Sequence, residues 1–311
     1  MSAAHKFRFP DFQWWQGVVE NRTDDPQMLG RVKVRIFGYH SANTSDISTD
    51  QLMWAVVSQP ITSAAISGKG TTPLGPLEGT HVFGWFADGD DAQVPIVFGT
   101  YGAIPQQEGA SSDGDGFKDP NGKYPSYPPG EQDTNRLARA EKLDETIVQK
   151  KKDDRDTGVS EAFGGSWDQP ETPYAAKYPY NHVRESESGH IWEVDDTEGS
   201  ERVSGWHKAE TWYEIGPDGT QVEVFQKDKY KIIVGNEYVH VKGNVNVTVD
   251  GNSKVLVKGN AFLEVKGNKQ EFVHGNSTLH VGGNYTVQVD GAHSDNSNVH
   301  RNITAPRVDI N

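Results

Sequence analysis

Three kinds of side-chain chemistry have raw material in this chain. Glu145 and Asp154, followed by Ser160, offer two carboxylates and a hydroxyl. Glycoside hydrolysis uses such a pair, one acid with a raised pKa facing a second carboxylate across a cleft. These residues lie in and around "QKKKDDRD", a densely charged run with no following segment able to build a cleft. They therefore read as solvated charges, and the basic cluster reads as solvated too. A second set of acids, Asp250, Glu264, Glu271 and Asp290, is scattered among Lys242, Lys254, Lys258, Lys266 and Lys269. Interleaving of this kind makes outward, solubilising pairs rather than a carboxylate site. For metals, His293 and His300 stand alone, and His240 and His280 share a repeat position five repeats apart. With no Cys, no H-E-x-x-H and no P-loop, the sequence predicts no catalytic residue, metal site or cofactor.

A third option is base stacking by Trp14, Trp15, Trp54, Trp85 and Phe86. Nucleic-acid grooves carry a basic footprint. Here 30 Lys and Arg face 44 Asp and Glu, a net charge of −14. These aromatics are expected in a core or a protein contact, and no nucleic-acid partner is expected. No run is long and apolar enough for a membrane helix, and the N-terminus, "MSAAHKFRFPDFQWW", shows no secretory apolar core.

The elements that would position any such site begin with a repeat. Gly235, Gly243, Gly251, Gly259, Gly267, Gly275, Gly283 and Gly291 fall at a period of eight without a slip, and Asn follows seven of them. Two residues before each stands a β-branched residue: Ile233, Val241, Val249, Val257, Val265, Val273, Val281 and Val289. Val239, Val247, Val255, Leu263, Leu279 and Val287 stand four before. Residues two apart share one face of a strand. Each octad thus reads as a short strand closed by a corner, with Gly-Asn expected to supply positive φ. Each octad climbs one strand spacing, about 4.7 Å, so the clean part alone would span roughly 40 Å.

A single-chain triangular coil needs three octads per turn, leaving too short a stack to bury its valines. Three chains winding together close a triangular layer at every octad and leave no open sheet edge. The expectation is an intertwined homotrimeric β-helix with the octad glycines as corners and the eight β-branched residues as trimer core. Clean octads run over 233–291; Lys227 replaces the preceding Gly, so the first layers are expected to be irregular, and Glu271 takes an inner position.

Upstream, "GVVEN", "GRVKVRIFG", "LMWAVVSQPI", "THVFGWFA" and "VPIVFGTYG" alternate with Gly and Pro turns. This predicts a five-stranded barrel of the OB kind over 1–104. Residues 105–180 read as an extended linker, with a short surface helix carrying Leu137, Ala140, Asp144 and Ile147. Residues 181–311 read as the needle, opening with turn-linked strands over 182–219. The fold class is all-β.

Several of these stretches resemble a known family. "GVVENRTDDPQMLGRVKVRIFGYH", "QPITSAAISGKG" and "GPLEGTHVFGWFADG" resemble the OB-fold domain of the central spike of T-even-type phage baseplates. "YPYNHVRESESGHIWEVDDTEGSERV", "EIGPDGTQVEV" and the octads resemble that family's C-terminal β-helix. The VgrG spikes of type VI secretion share this architecture and supply the alternative reading, an effector-delivering spike of a contractile injection system. Two departures stand out. The linker is too short for the lysozyme domain of the T-even spike, and the large hub region of VgrG has no counterpart before the barrel. The resemblance implies a non-enzymatic structural spike in the virion tail, made in the host cytoplasm. Sheath contraction would drive it through the host outer membrane. It implies a homotrimer, a hub protein trimer at the barrel end, and a PAAR-type tip protein on the C-terminal end at Val308 and Ile310.

Overall fold

A computed structural model of the 311-residue chain describes residues 13–102, 134–139 and 147–307. The chain divides into two units, 1–248 and 249–311. In the first, β1 (Trp14–Asn21), β2 (Val32–Ile36), β3 (Trp54–Val57), β4 (His81–Phe86) and β5 (Pro95–Thr100) form a closed barrel in the order β1-β2-β3-β5-β4. All pairings are antiparallel except β3 with β5. Trp15, Val19, Val32, Val34, Ile36, Ala55, Val82, Phe86 and Val97 fill the interior. Closure needs a residue without a side chain on β4. A Cβ on Gly84 would lie 1.9 Å from the Ile96 carbonyl oxygen and 2.6 Å from the Trp15 ring. The predicted five-stranded barrel is therefore present.

A second layer follows. β8 (Asn181–Glu185), β9 (Ile191–Asp195), β10 (Arg202–Trp206), β11 (Trp212–Ile215) and β12 (Gln221–Val224) form an antiparallel meander in sequence order. The stretch expected to open the needle at 181 is thus a self-paired sheet as far as Val224. Its tight turns, such as Gly216 to Gly219, return each strand onto the one before. The arrangement is local because each strand finds its partner a few residues away.

Against one face of this sheet pack α1 (Arg136–Arg139) and α2 (Ile147–Asp153). The predicted surface helix is corrected here, since its two turns bury Leu137 and Val148 against Ile191, Trp206 and Trp212. Ala140 and Asp144 lie outside the described residues. A small hairpin, β6 (Val159–Ser160) with β7 (Ser166–Trp167), follows α2. The segment expected as extended linker therefore carries packed structure, because its few apolar residues find a sheet to cover.

Beyond Val224 the chain runs extended, with no further strand pairing among the described residues. Bends recur every eight residues, each at a glycine of the octad and the residue before it. Two more bends keep this phase where no glycine stands, at Gln226–Lys227 in the first unit and Asn298–Val299 in the second. The bend at Lys227 thus keeps the phase of the octads although no glycine stands there. The expected positive φ is absent: no octad Gly or Asn is among the positive-φ residues. The corner is a shallow bend that ordinary backbone makes.

Candidate functional site: the charged sheet face and the octads

On its covered side the meander buries charged residues among apolar ones such as Ile191, Trp206 and Trp212. Glu193, Asp195, Arg202, Ser204 and Glu214 are each no more than 3% exposed. Trp192, Val194 and Val203 on the opposite face are 62%, 47% and 39% exposed. Arg202 donates to Glu193 Oε2 at 2.6 Å through Nη2, and to Glu214 Oε1 at 2.9 Å through Nη1. Lys151 of α2 donates to the same Glu214 oxygen at 2.9 Å and to Ser204 Oγ at 2.9 Å. Asn181 links Glu193 to the Leu137 carbonyl, which also accepts from the Tyr174 hydroxyl. Burial works against the Arg202 charge, yet the bonds to Glu193 and Glu214 hold its pKa above the ordinary value. Burial pushes Lys151 down, and Glu214 opposes that shift. The "QKKKDDRD" run was expected to be solvated; Lys151, at 3% exposed, corrects that reading. It sits on the one side of α2 that faces the sheet, 4.8 Å from the Trp212 ring.

This cluster is structural in character. Two cations face three carboxylates, all tied to one another or to backbone, and none is presented to a cleft. Among the described residues no group of three or more His, Asp or Glu is arranged to hold a metal ion. Of the glycosidase candidates, Glu145 lies outside the described residues, Asp154 is exposed at the end of α2, and Ser160 lies in β6. The structure brings neither Asp154 nor Ser160 to a partner carboxylate. His293 and His300 are exposed, and so are the octad acids, of which Glu271 pairs with Lys269 at 3.0 Å.

The aromatics divide in the same way. Trp15 and Phe86 are core, and Trp54 receives Lys33 Nζ at 5.1 Å over its ring. Trp14, 57% exposed, meets Phe83, Trp85 and Phe98 with centroids about 6 Å apart. This forms an aromatic patch on the outside of the barrel.

The octads are the counterpart of the charged face. Ile233, Val241, Val249, Val257, Val265, Val273, Val281 and Val289 lie between 40% and 54% exposed, the most shielded apolar side chains of the repeat. Those four before each glycine, Val239, Val247, Val255, Leu263, Leu279 and Val287, range from 56% to 87%. Gly235, Gly243, Gly251, Gly259, Gly267, Gly275, Gly283 and Gly291 all sit in open space within this chain. One chain therefore leaves a regular apolar row half covered, with no strand pairing along it. A row of that length exposed to water marks a protein contact. Val308 and Ile310, expected at the tip, lie outside the described residues.

Comparison with known proteins places names on both parts. Residues 38–177 match the model described as the Gp5 N-terminal OB domain. Residues 191–289 match the bacteriophage T4 gp5 C-terminal trimerisation domain, which includes most of the meander and nearly all the clean octads. Protein Gp5 of Vibrio phage KVP40 is 41% identical over 260 residues, covering 74% of this chain and 61% of that protein. The pre-baseplate central spike protein Gp5 of Enterobacteria phage T4 is 45% identical over 120 residues, covering 37% of this chain and 20% of that protein. The chain thus spans less than two thirds of either relative's length.

Proposed function

The chain belongs to the Gp5 family of phage baseplate central spike proteins, and from that premise we propose that it is a non-enzymatic, trimeric needle that punctures the host envelope. The observation that carries this reading is the apolar octad row, half exposed and unpaired in one chain, inside the segment that matches a trimerisation domain. Three such chains would cover one another's valines and supply the missing strand partners. Continuous pairing with short corners makes a stiff rod, which is what transmission of sheath contraction requires. We assign the barrel (1–104) to the hub end and the octads to the trimer core, with a tip protein seated near Val308 and Ile310. The setting is the virion tail, after synthesis in the host cytoplasm. The alternative of an effector-delivering spike has no specific observation in its favour, and both relatives are phage proteins.

The experiment is direct. Purified full-length chain should run as an SDS-resistant trimer on unheated gels and as a trimer by native light scattering. A monomer under native conditions would overturn the needle. Turnover of purified peptidoglycan by the same sample would overturn the non-enzymatic part.

A further inference from the structure

The meander has a second face, opposite the one that α1 and α2 cover. Cross-strand pairs fix what it carries. Val194 stands opposite Val203, and Val203 opposite Ile215. Trp192 stands opposite Gly205, and Gly205 opposite Tyr213. Directly opposed residues share one side of a sheet. Trp192, Val194, Val203, Tyr213 and Ile215 therefore form one apolar surface at the middle of the meander. Trp192 is 62% exposed and Val194 47%. His182 and Arg184 on β8, and Gln221 and Glu223 on β12, rim the same face with polar groups. An apolar centre inside a polar rim is the anatomy of a protein interface.

Two of its side chains are fixed in advance. Gly205 leaves room between Trp192 and Tyr213, and a Cβ there would lie 2.5 Å from the Tyr213 ring. The ring thus lies across the glycine, and its hydroxyl accepts from Trp192 Nε1 at 3.2 Å. A Trp and a Tyr held in place lose little freedom when a partner arrives, and such residues concentrate binding energy.

The strand that leaves the sheet points to the occupant. In β12, Glu223 stands opposite Tyr213 and Gln221 opposite Ile215, so the odd-numbered residues share the apolar face. Val222 and Val224 pack on the covered side. Past β12, odd numbering reaches Phe225, one octad before Ile233 and in phase with it. Phe225 is 44% exposed, within the range of the β-branched row. A period of eight preserves parity, so the apolar face of the meander runs on into the row of octad valines. The covered side is continuous in the same way. The β6–β7 hairpin meets the octads through Asn246 Nδ2, which donates to Glu161 Oε1 at 2.9 Å, and Thr248 Oγ1, which donates to the Ser160 carbonyl at 2.7 Å. Both are even-numbered. Among the described residues, the chain's own cover thus stays on one side from β9 to Thr248. The segment that matches a trimerisation domain also opens at residue 191, the first of β9, rather than at the octads.

We propose that this face of the meander packs against the meanders of two further copies of the chain, so that the three-chain core begins at β9, with Trp192 and Tyr213 as its anchors. This rests on the trimeric reading above. The test puts the photoreactive residue p-benzoylphenylalanine in place of Trp192 in the full-length chain. Irradiated native trimers should yield chain-to-chain adducts that survive boiling in SDS. The same residue in place of Phe163, 68% exposed on the hairpin, should yield none. Trimers that give no adduct from the Trp192 position, or an adduct within one chain only, overturn the proposal. Equal yields between chains from both positions would mean random collision and overturn it as well. If the photoreactive chain does not assemble, Val194→Lys gives a second reading. Its trimers should dissociate at a concentration raised by about tenfold or more, with Trp206 and Trp212 emission unchanged. Trimers that withstand dilution as the parent does overturn the proposal equally. A parent chain that is monomeric would instead remove the trimeric reading itself.

Discussion

The charged sheet face and the octads are built from the same alternation and reach opposite ends. In the meander, Arg202, Glu193 and Glu214 turn inward and the chain's own helices cover them. In the octads, valines form the shared row and one chain leaves them about half exposed. The sheet pairs its buried cations with its own carboxylates within one chain. The octads bury little within one chain, so their stability has to come from other chains. Buried ion pairs are costly to break but add little net stability, whereas burial of apolar surface drives association. One region therefore fixes local structure, and in the proposed trimer the other would drive assembly.

The comparison can be broken most sharply at Val257. Val257→Asp would bring three carboxylates to one dry layer, each costing several kcal/mol to desolvate. Trimers should vanish by light scattering while the far-UV signature of barrel and meander survives. Normal trimers would place Val257 outside. Next in size, Arg202→Met leaves Glu193 buried without a cation and Glu214 with Lys151 alone. Loss of about 3–5 kcal/mol is expected for a broken buried pair, read as a lower denaturant midpoint followed by Trp206 and Trp212 fluorescence. Lys151→Met is milder, because Glu214 keeps Arg202; roughly 1–3 kcal/mol is expected for the bonds lost, with protease cleavage rising first near α2. The smallest effect belongs to a corner. Gly259→Ala should change trimer stability by under about 1 kcal/mol, as for a glycine whose φ other residues can adopt. Lys227 and Val299 already occupy corners of the same phase. A large loss in thermal melts would mean that a neighbouring chain's backbone crosses at the corner.

Much of this was legible in the sequence, and the failures have a common cause. The barrel strands could be read because apolar runs such as "GRVKVRIFG" are bounded by turn residues, and the octads because a strict period survives any context. The meander's alternation was equally visible in "HIWEVDDTEGSERV". Which face turns inward was not, since alternation defines two faces without ranking them. Tertiary cover decided it: α1 and α2 lie on the charged side. Lys151 was missed for the same reason, being one Lys of three in a run and distinguished only by what lies beneath the helix. The left-handed corner was wrongly inferred from Gly-Asn, whose permissiveness allows positive φ without requiring it.

The bends at Lys227 and Val299 carry a consequence for how such a gene can change. Corners keep their eight-residue phase whatever side chain occupies them. An in-frame duplication or loss of one octad would therefore leave every other octad's alternation and turning point intact. An insertion of any odd number of residues would turn all downstream valines to the wrong side. In a trimer of this kind the reach of the spike would be inherited as a whole number, lengthened or shortened in steps of about 4.7 Å, with selection acting on a count.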